Sequence, residues 1–203
     1  MDSIKINSIF PTLYASKVNP DHEKYKQSLI DFCHKYERLN PHKETEVHLN
    51  YYSNLLSNNP ENLFQYGETK SILDFITQTL KELNEEMKFT SPHRWDITNA
   101  WLNINRKYSM HSAHSHGHHV WSGIYYIKTS KNAAPLIFTN SLGEYRQHWP
   151  NGVEIKEAND FNAGEIKIFP KEGELIMFPS YLIHHVPQHM DEEERINIAF
   201  NVD

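Results

Sequence analysis

The stretch GELIMFPSYLIHHVPQHMDEEERINIAFNV, residues 173–202, decides how the rest of the chain is read. It opens with GELIMFP (173–179), a short apolar run bounded by glycine and proline. It closes with RINIAFNV (195–202), where polar and apolar side chains alternate. An extended chain points successive side chains to opposite faces, so both runs read as β-strands. Moving outward, WDITNAWLNINR (95–106), VWSGIYYIKT (120–129), PLIFTN (135–140) and GEIKIFP (164–170) read the same way, with Gly, Pro, Asn and Asp between them.

Before residue 94 the period is helical. One segment, roughly 20–38, is opened by Asn19-Pro20-Asp21 and places Tyr25, Leu29, Phe32 and Tyr36 on one face. A second, roughly 69–88, repeats Ile72, Phe75, Ile76, Leu80, Leu83 and Met87 at intervals of three and four. Residues 39–68 between them are polar and rich in Asn, Pro and Tyr, and read as an irregular loop. Helices followed by many short strands predict a single α+β domain that is mainly β. The expected core is a jelly roll, a double-stranded β-helix of the cupin type, over 94–203, with 1–93 as helical support and loop.

Composition narrows the function. The chain has 203 residues, 38% of them hydrophobic, and a net charge of -6. That is enough to bury a core and is unlike a disordered chain. The 20 Lys and Arg residues are scattered, so there is no clear nucleic-acid signal. The single cysteine, Cys33, falls in the first helical segment. That excludes a disulfide framework and suits a reducing compartment. The segment MDSIKINSIFPTLYAS lacks a long apolar region and no run of 18 apolar residues occurs, so a soluble, cytoplasmic protein without a membrane partner is expected. The oligomeric state leaves no trace in the sequence.

Five of the 14 histidines lie in HSAHSHGHHVWSGIYYI (111–127), at 111, 114, 116, 118 and 119. On an extended chain His114 and His116 point to the same side and can converge on one metal ion. Taken alone, the pair is better explained as solvated loop histidines. The opening stretch adds His184, and then Arg195 at the head of the last strand. Two close histidines and a distant third form a facial set that leaves neighbouring positions open on an iron. An arginine beyond them offers a fixed fork for a carboxylate.

Residues 95–202 resemble the Fe(II)/2-oxoglutarate-dependent dioxygenases, in particular a bacterial and phage branch related to prolyl hydroxylases. The matching segments are WLNINRKYSMHSAHSHGHHVWSGIYYI, PLIF, GELIMFPSYLIHHVP and ERINIAFN. The resemblance implies Fe(II), 2-oxoglutarate as co-substrate, and ascorbate as an aid to turnover. It implies hydroxylation of a protein, amino acid or other small molecule, with release of succinate and carbon dioxide. His114 matches the first ligand of the family's H-x-D element and His184 its distal histidine. Arg195 matches the partner of the far carboxylate of 2-oxoglutarate. Tyr126 resembles a tyrosine that contacts the same carboxylate, with Ser122 on its face of the strand. Asn197 and Asn103 are further candidates on the co-substrate side.

His116 departs from the family, which has an acid there. Three neutral imidazoles would leave the ion's full double charge, favour anion binding and admit Zn, Ni or Mn. Alternatively, only His114 and His184 bind and water fills the third place. His111, His118, His119, His185 and His189 are expected to be solvated or to lie behind the ligands. Tyr51, Tyr52, Tyr66, Tyr145 and Trp149, in 39–68 and 141–163, are expected to border the substrate mouth. Two other functions stay open on the residues alone. One is a three-histidine cupin that does not use 2-oxoglutarate, acting as a dioxygenase or isomerase. The other is a non-catalytic module with a degenerate site.

Overall fold

The computed structural model describes residues 4–5, 7, 10–40, 50–56, 63–89, 96–140, 154–159 and 162–203. The elements, in order, are β1 (Ala15–Val18), α1 (His22–Leu39), β2 (Asn50–Leu56), α2 (Lys70–Glu86), β3 (Ile97–Asn105), β4 (His111–His114) and β5 (Trp121–Lys128). They continue with β6 (Leu136–Thr139), β7 (Glu165–Ile168), β8 (Glu174–Pro179), β9 (His184–Val186) and β10 (Arg195–Val202). Two short 3-10 turns, Leu63–Gln65 and Gly67–Thr69, lead into α2.

The strands form two antiparallel sheets, ordered β1-β8-β5-β10-β3-β2 and β4-β9-β6-β7. From β3 onward the chain crosses back and forth between the sheets, which is the path of a jelly roll. One expectation needs correcting. Residues 39–68 are not irregular throughout, because Asn50–Leu56 pairs in register with Asn99–Asn105 and extends the large sheet. Pairing across the sheet outweighs the weak local signal of that polar segment. β1 also joins the large sheet, against β8.

The large sheet has two unlike faces. Ile196, Ile198, Phe200 and Val202 of β10, with Ala100, Leu102 and Ile104 of β3 and Tyr125 and Ile127 of β5, pack beneath the helices. There they meet Leu29, Phe32 and Tyr36 of α1 and Ile72, Ile76 and Leu80 of α2. Tyr66 packs here too, 5.2 Å from Phe32 and 5.7 Å from Tyr36. It therefore serves the helical core and not the substrate mouth. Tyr145 and Trp149 lie outside the described residues, and Tyr51 and Tyr52 are described only in their backbone.

The intervening residues of the same strands face the small sheet. They include Arg195, Asn197 and Ala199 of β10, Trp101 and Asn103 of β3, and Ser122, Ile124 and Tyr126 of β5, and they line a cavity. Period-two alternation thus separates an apolar face that holds the fold from a polar face that forms the site. One glycine is essential to this packing. A Cβ on Gly123 would lie 2.2 Å from Cζ of the fully buried Phe200. Gly123→Ala is expected to cost about 1–3 kcal/mol, read as a lower denaturant midpoint with an unchanged slope. No described helix is long and apolar enough to cross a membrane.

Candidate active site

Three imidazoles meet at one end of the cavity. His114 ends β4, His116 follows it, and His184 opens β9 directly opposite His114 in the β4–β9 pair. Ring centroids are 4.4 Å apart for His114 and His184, and 5.1 Å for each of the other two pairs. One ring nitrogen from each residue lies within 4.8 Å of the other two.

Each ring is held through Nδ1. His114 Nδ1 is 2.7 Å from the carbonyl of Ser112, and His184 Nδ1 is 2.9 Å from that of Leu182. His116 Nδ1 is 2.6 Å from Oδ1 of Asn201. A carbonyl oxygen can only accept, so each Nδ1 must carry the hydrogen and each Nε2 keeps a lone pair. This is the tautomer a metal needs, fixed before any metal arrives. Ser122 braces the third ring: its hydroxyl donates to Asn201 Oδ1 at 2.7 Å and lies 2.8 Å from the Ser180 hydroxyl. A divalent ion that accepts nitrogen ligands fits this donor set.

Burial favours the neutral form of His116 and His184. His184 is 4% exposed, and desolvation pushes its pKa down to about 3. Desolvation also lowers His116, opposed by its bond to Asn201. The unfolded His184 takes a proton near pH 6.5 while the folded one resists until about 3, so acid favours the unfolded chain between these values. The metal-free protein is expected to lose on the order of a few kcal/mol as pH falls through this window. His184→Gln should flatten that limb of the thermal-stability profile.

Arg195 lies in the same cavity, 2% exposed. Its Nη1 donates to the carbonyl of Ala134 at 2.7 Å. Its Nη2 and Nε both point at Oδ1 of Asn105, at 2.8 and 3.3 Å. All of these partners are uncharged. A guanidinium has five N–H groups, so one hydrogen on each Nη remains available. Burial without an acid lowers the pKa of Arg195, with Tyr126 acting in the opposite sense. A buried cation held only by neutral groups is costly until an anion joins it.

Tyr126, 1% exposed, lines the cavity beside it, and burial raises its hydroxyl to about 12, so it stays a donor. Asn103 donates to Oδ1 of Asn197 at 3.0 Å, while its own buried Oδ1 has no partner.

Asn105 escaped the sequence reading, although it sits two residues from Asn103 and faces Arg195 across the β3–β10 register. A pair of amides on one strand face was the available signal. Ser180 and Asn201, which hold Ser122 and His116, were missed as well. Of the histidines expected to be solvated or to lie behind the ligands, His189 is fully buried. Its Nδ1 accepts from the Ala134 amide at 3.4 Å and its Nε2 donates to the Glu193 carbonyl at 2.7 Å, so it braces both sides of Arg195. His111 lines the cavity, with Nε2 3.1 Å from Nδ2 of Asn105. His185 also lines it, and His119 pairs with Asp203 at 2.9 Å.

A jelly roll with three converged imidazoles and a buried arginine in one cavity is a scaffold with a candidate metal site and a cation in the same lining. A profile of the family described as "Putative 2OG-Fe(II) oxygenase" matches residues 99–201, just over half of the 203-residue chain. The chain belongs to this family of iron- and 2-oxoglutarate-dependent oxygenases. No curated protein matches it in sequence.

Solved structures share the fold at low identity. A Pseudomonas putida prolyl-4-hydroxylase superposes with a TM-score of 0.63 at 13% identity, over 94% of this chain and 92% of that one. HygX from Streptomyces hygroscopicus, with nickel and 2-oxoglutarate bound, gives 0.62 at 10% identity, over 95% and 82%. A viral collagen prolyl hydroxylase from Paramecium Bursaria Chlorella virus-1, in complex with 2-oxoglutarate, gives 0.58 at 14% identity, over 93% and 94%.

Proposed function

We propose that His114, His116 and His184 hold Fe(II) through their Nε2 atoms. Arg195 grips the far carboxylate of 2-oxoglutarate, assisted by Tyr126 and flanked by Asn103 and Asn197. The observation that carries this reading is a single cavity with three free imidazole lone pairs and, in its lining, a buried guanidinium whose partners are all neutral.

Bound iron supplies, with dioxygen and 2-oxoglutarate, the oxidation that yields succinate, carbon dioxide and a hydroxylated C–H bond. The chain's own groups position and shield. Carbonyls on the three Nδ1 atoms aim the rings. Asn105, the Ala134 carbonyl and, behind Ala134, His189 fix the arginine fork. Tyr126 adds a hydroxyl donor. Ile124, Leu136, Phe178 and Val186 line the cavity with apolar surface and keep water out. A protein or amino-acid substrate is the leading reading, supported by the fold shared with two prolyl hydroxylases. A cytoplasmic setting fits the lone, fully buried Cys33, whose thiol pKa burial pushes up.

The test is uncoupled turnover. Fe(II), ascorbate, dioxygen and 2-oxoglutarate together are expected to release succinate, and omission of iron or oxygen to stop it. Lack of succinate, joined to lack of binding heat when 2-oxoglutarate is titrated into the Mn(II)-loaded protein, would refute the assignment.

A further inference from the structure

The cavity and its mouth contain no carboxylate among the described residues. The mouth is formed by Asn99, Trp101, Ser115, His119 and Asn201 beside the imidazoles. Asp203 reaches it only by touching His119, at 2.9 Å. If the three imidazoles are the ligands, as proposed above, the charges do not cancel. The dication and Arg195 bring three positive charges, the neutral rings bring none, and 2-oxoglutarate removes two. One positive charge is left uncancelled. An acid at position 116 would have cancelled it.

We propose that the substrate supplies the missing charge: it carries a carboxylate, sulfonate or phosphate close to the C–H bond that is oxidised. The inference rests on the three-imidazole reading. Selection acts locally, because the net charge of -6 gives the whole chain no long-range pull on anions. Asn99 adds a second feature of the mouth. Its Oδ1 is buried and unpartnered, an acceptor waiting for a donor on the same substrate. A peptide C-terminus or an N-acylated amino acid presents a carboxylate beside an uncharged amide N–H and satisfies both.

The test uses two probes of one shape, acetate and acetamide, titrated into protein loaded with Co(II) and saturated with 2-oxoglutarate without oxygen. The visible cobalt spectrum reports binding. One uncancelled charge about 5 Å away at an effective dielectric near 20 corresponds to roughly two orders of magnitude, and screening leaves at least about tenfold. Acetate is therefore expected to shift the spectrum at tenfold or more lower concentration than acetamide, and His116→Asp to erase most of that preference. Equal responses in the unaltered protein would overturn the inference, whether or not the variant folds. A preference that survives in His116→Asp would overturn it too. Failure to take up one Co(II) per chain would remove the three-imidazole reading as well. The cobalt stoichiometry thus separates loss of the inference alone from loss of its foundation.

Discussion

Arg195→Ala is expected to weaken 2-oxoglutarate binding to the metal-loaded protein by about thirtyfold to several thousandfold, while metal uptake stays nearly unchanged. The range follows from truncating one member of a buried, hydrogen-bonded charge pair, which costs about 2–5 kcal/mol. Calorimetry on Mn(II)-loaded protein gives the first quantity and metal analysis the second. The variant also removes the donor to the Ala134 carbonyl and leaves the Asn105 Oδ1 only the 3.5 Å donation from Asn197 Nδ2, a cost of about 1–3 kcal/mol that loss of a buried charge partly offsets. Asn105→Asp separates the two effects. It keeps the guanidinium but gives it a resident carboxylate, so 2-oxoglutarate should bind more weakly to a fold that is no less stable. Unchanged affinity in both variants would mean that the co-substrate's far carboxylate lies elsewhere.

His184→Ala is expected to lower metal affinity by more than about a hundredfold. Weakening the groups that merely orient a ligand typically costs ten- to a hundredfold, and removing the ligand costs more. His184 is the most confined of the three rings, 4% exposed and 4.8 Å from the ring of Phe178. The metal-free variant should still fold, since it loses one neutral side chain and one hydrogen bond to Leu182. Ligand linkage provides a second readout. Metal at a hundred times its dissociation constant stabilises the unaltered protein by about 2.7 kcal/mol, and the variant should show almost none of that gain. His116→Ala answers the remaining question about the third position. Unchanged affinity there would leave two protein ligands, with water completing the set.

The strands most legible in the sequence were those with long alternation. β3, β5 and β10 are eight or nine residues each, and their two faces differ in polarity. The helices were equally plain, because α1 and α2 repeat their apolar residues at helical spacing over 18 and 17 residues. β1, β2 and β4 were not legible. HSAH and ASKV are too short to carry a period. NYYSNLL becomes a strand because β3 offers it an edge, not because of its own composition.

At the site, the triad His114, His116 and His184 could be suspected from spacing and type. The groups that orient it could not. Asn105 and Arg195 are 90 positions apart, His116 and Asn201 are 85 apart, and no local pattern connects them. The place of His189 was hidden for the same reason: in QHMDEE nothing decides between a solvated ring and one behind the ligands, and only the fold wraps Ala134 and Glu193 around it.

The sheet order also bears on how the molecule assembles. β10, the latest strand in the chain, sits between β3 and β5, which do not pair with each other. Until residues 195–202 have been made, those two earlier strands lack their shared neighbour, and the wall of the cavity is missing. Pairings this distant close slowly. Refolding of this chain should therefore be slow, and Asn201, which orients His116, takes its place only with that last strand.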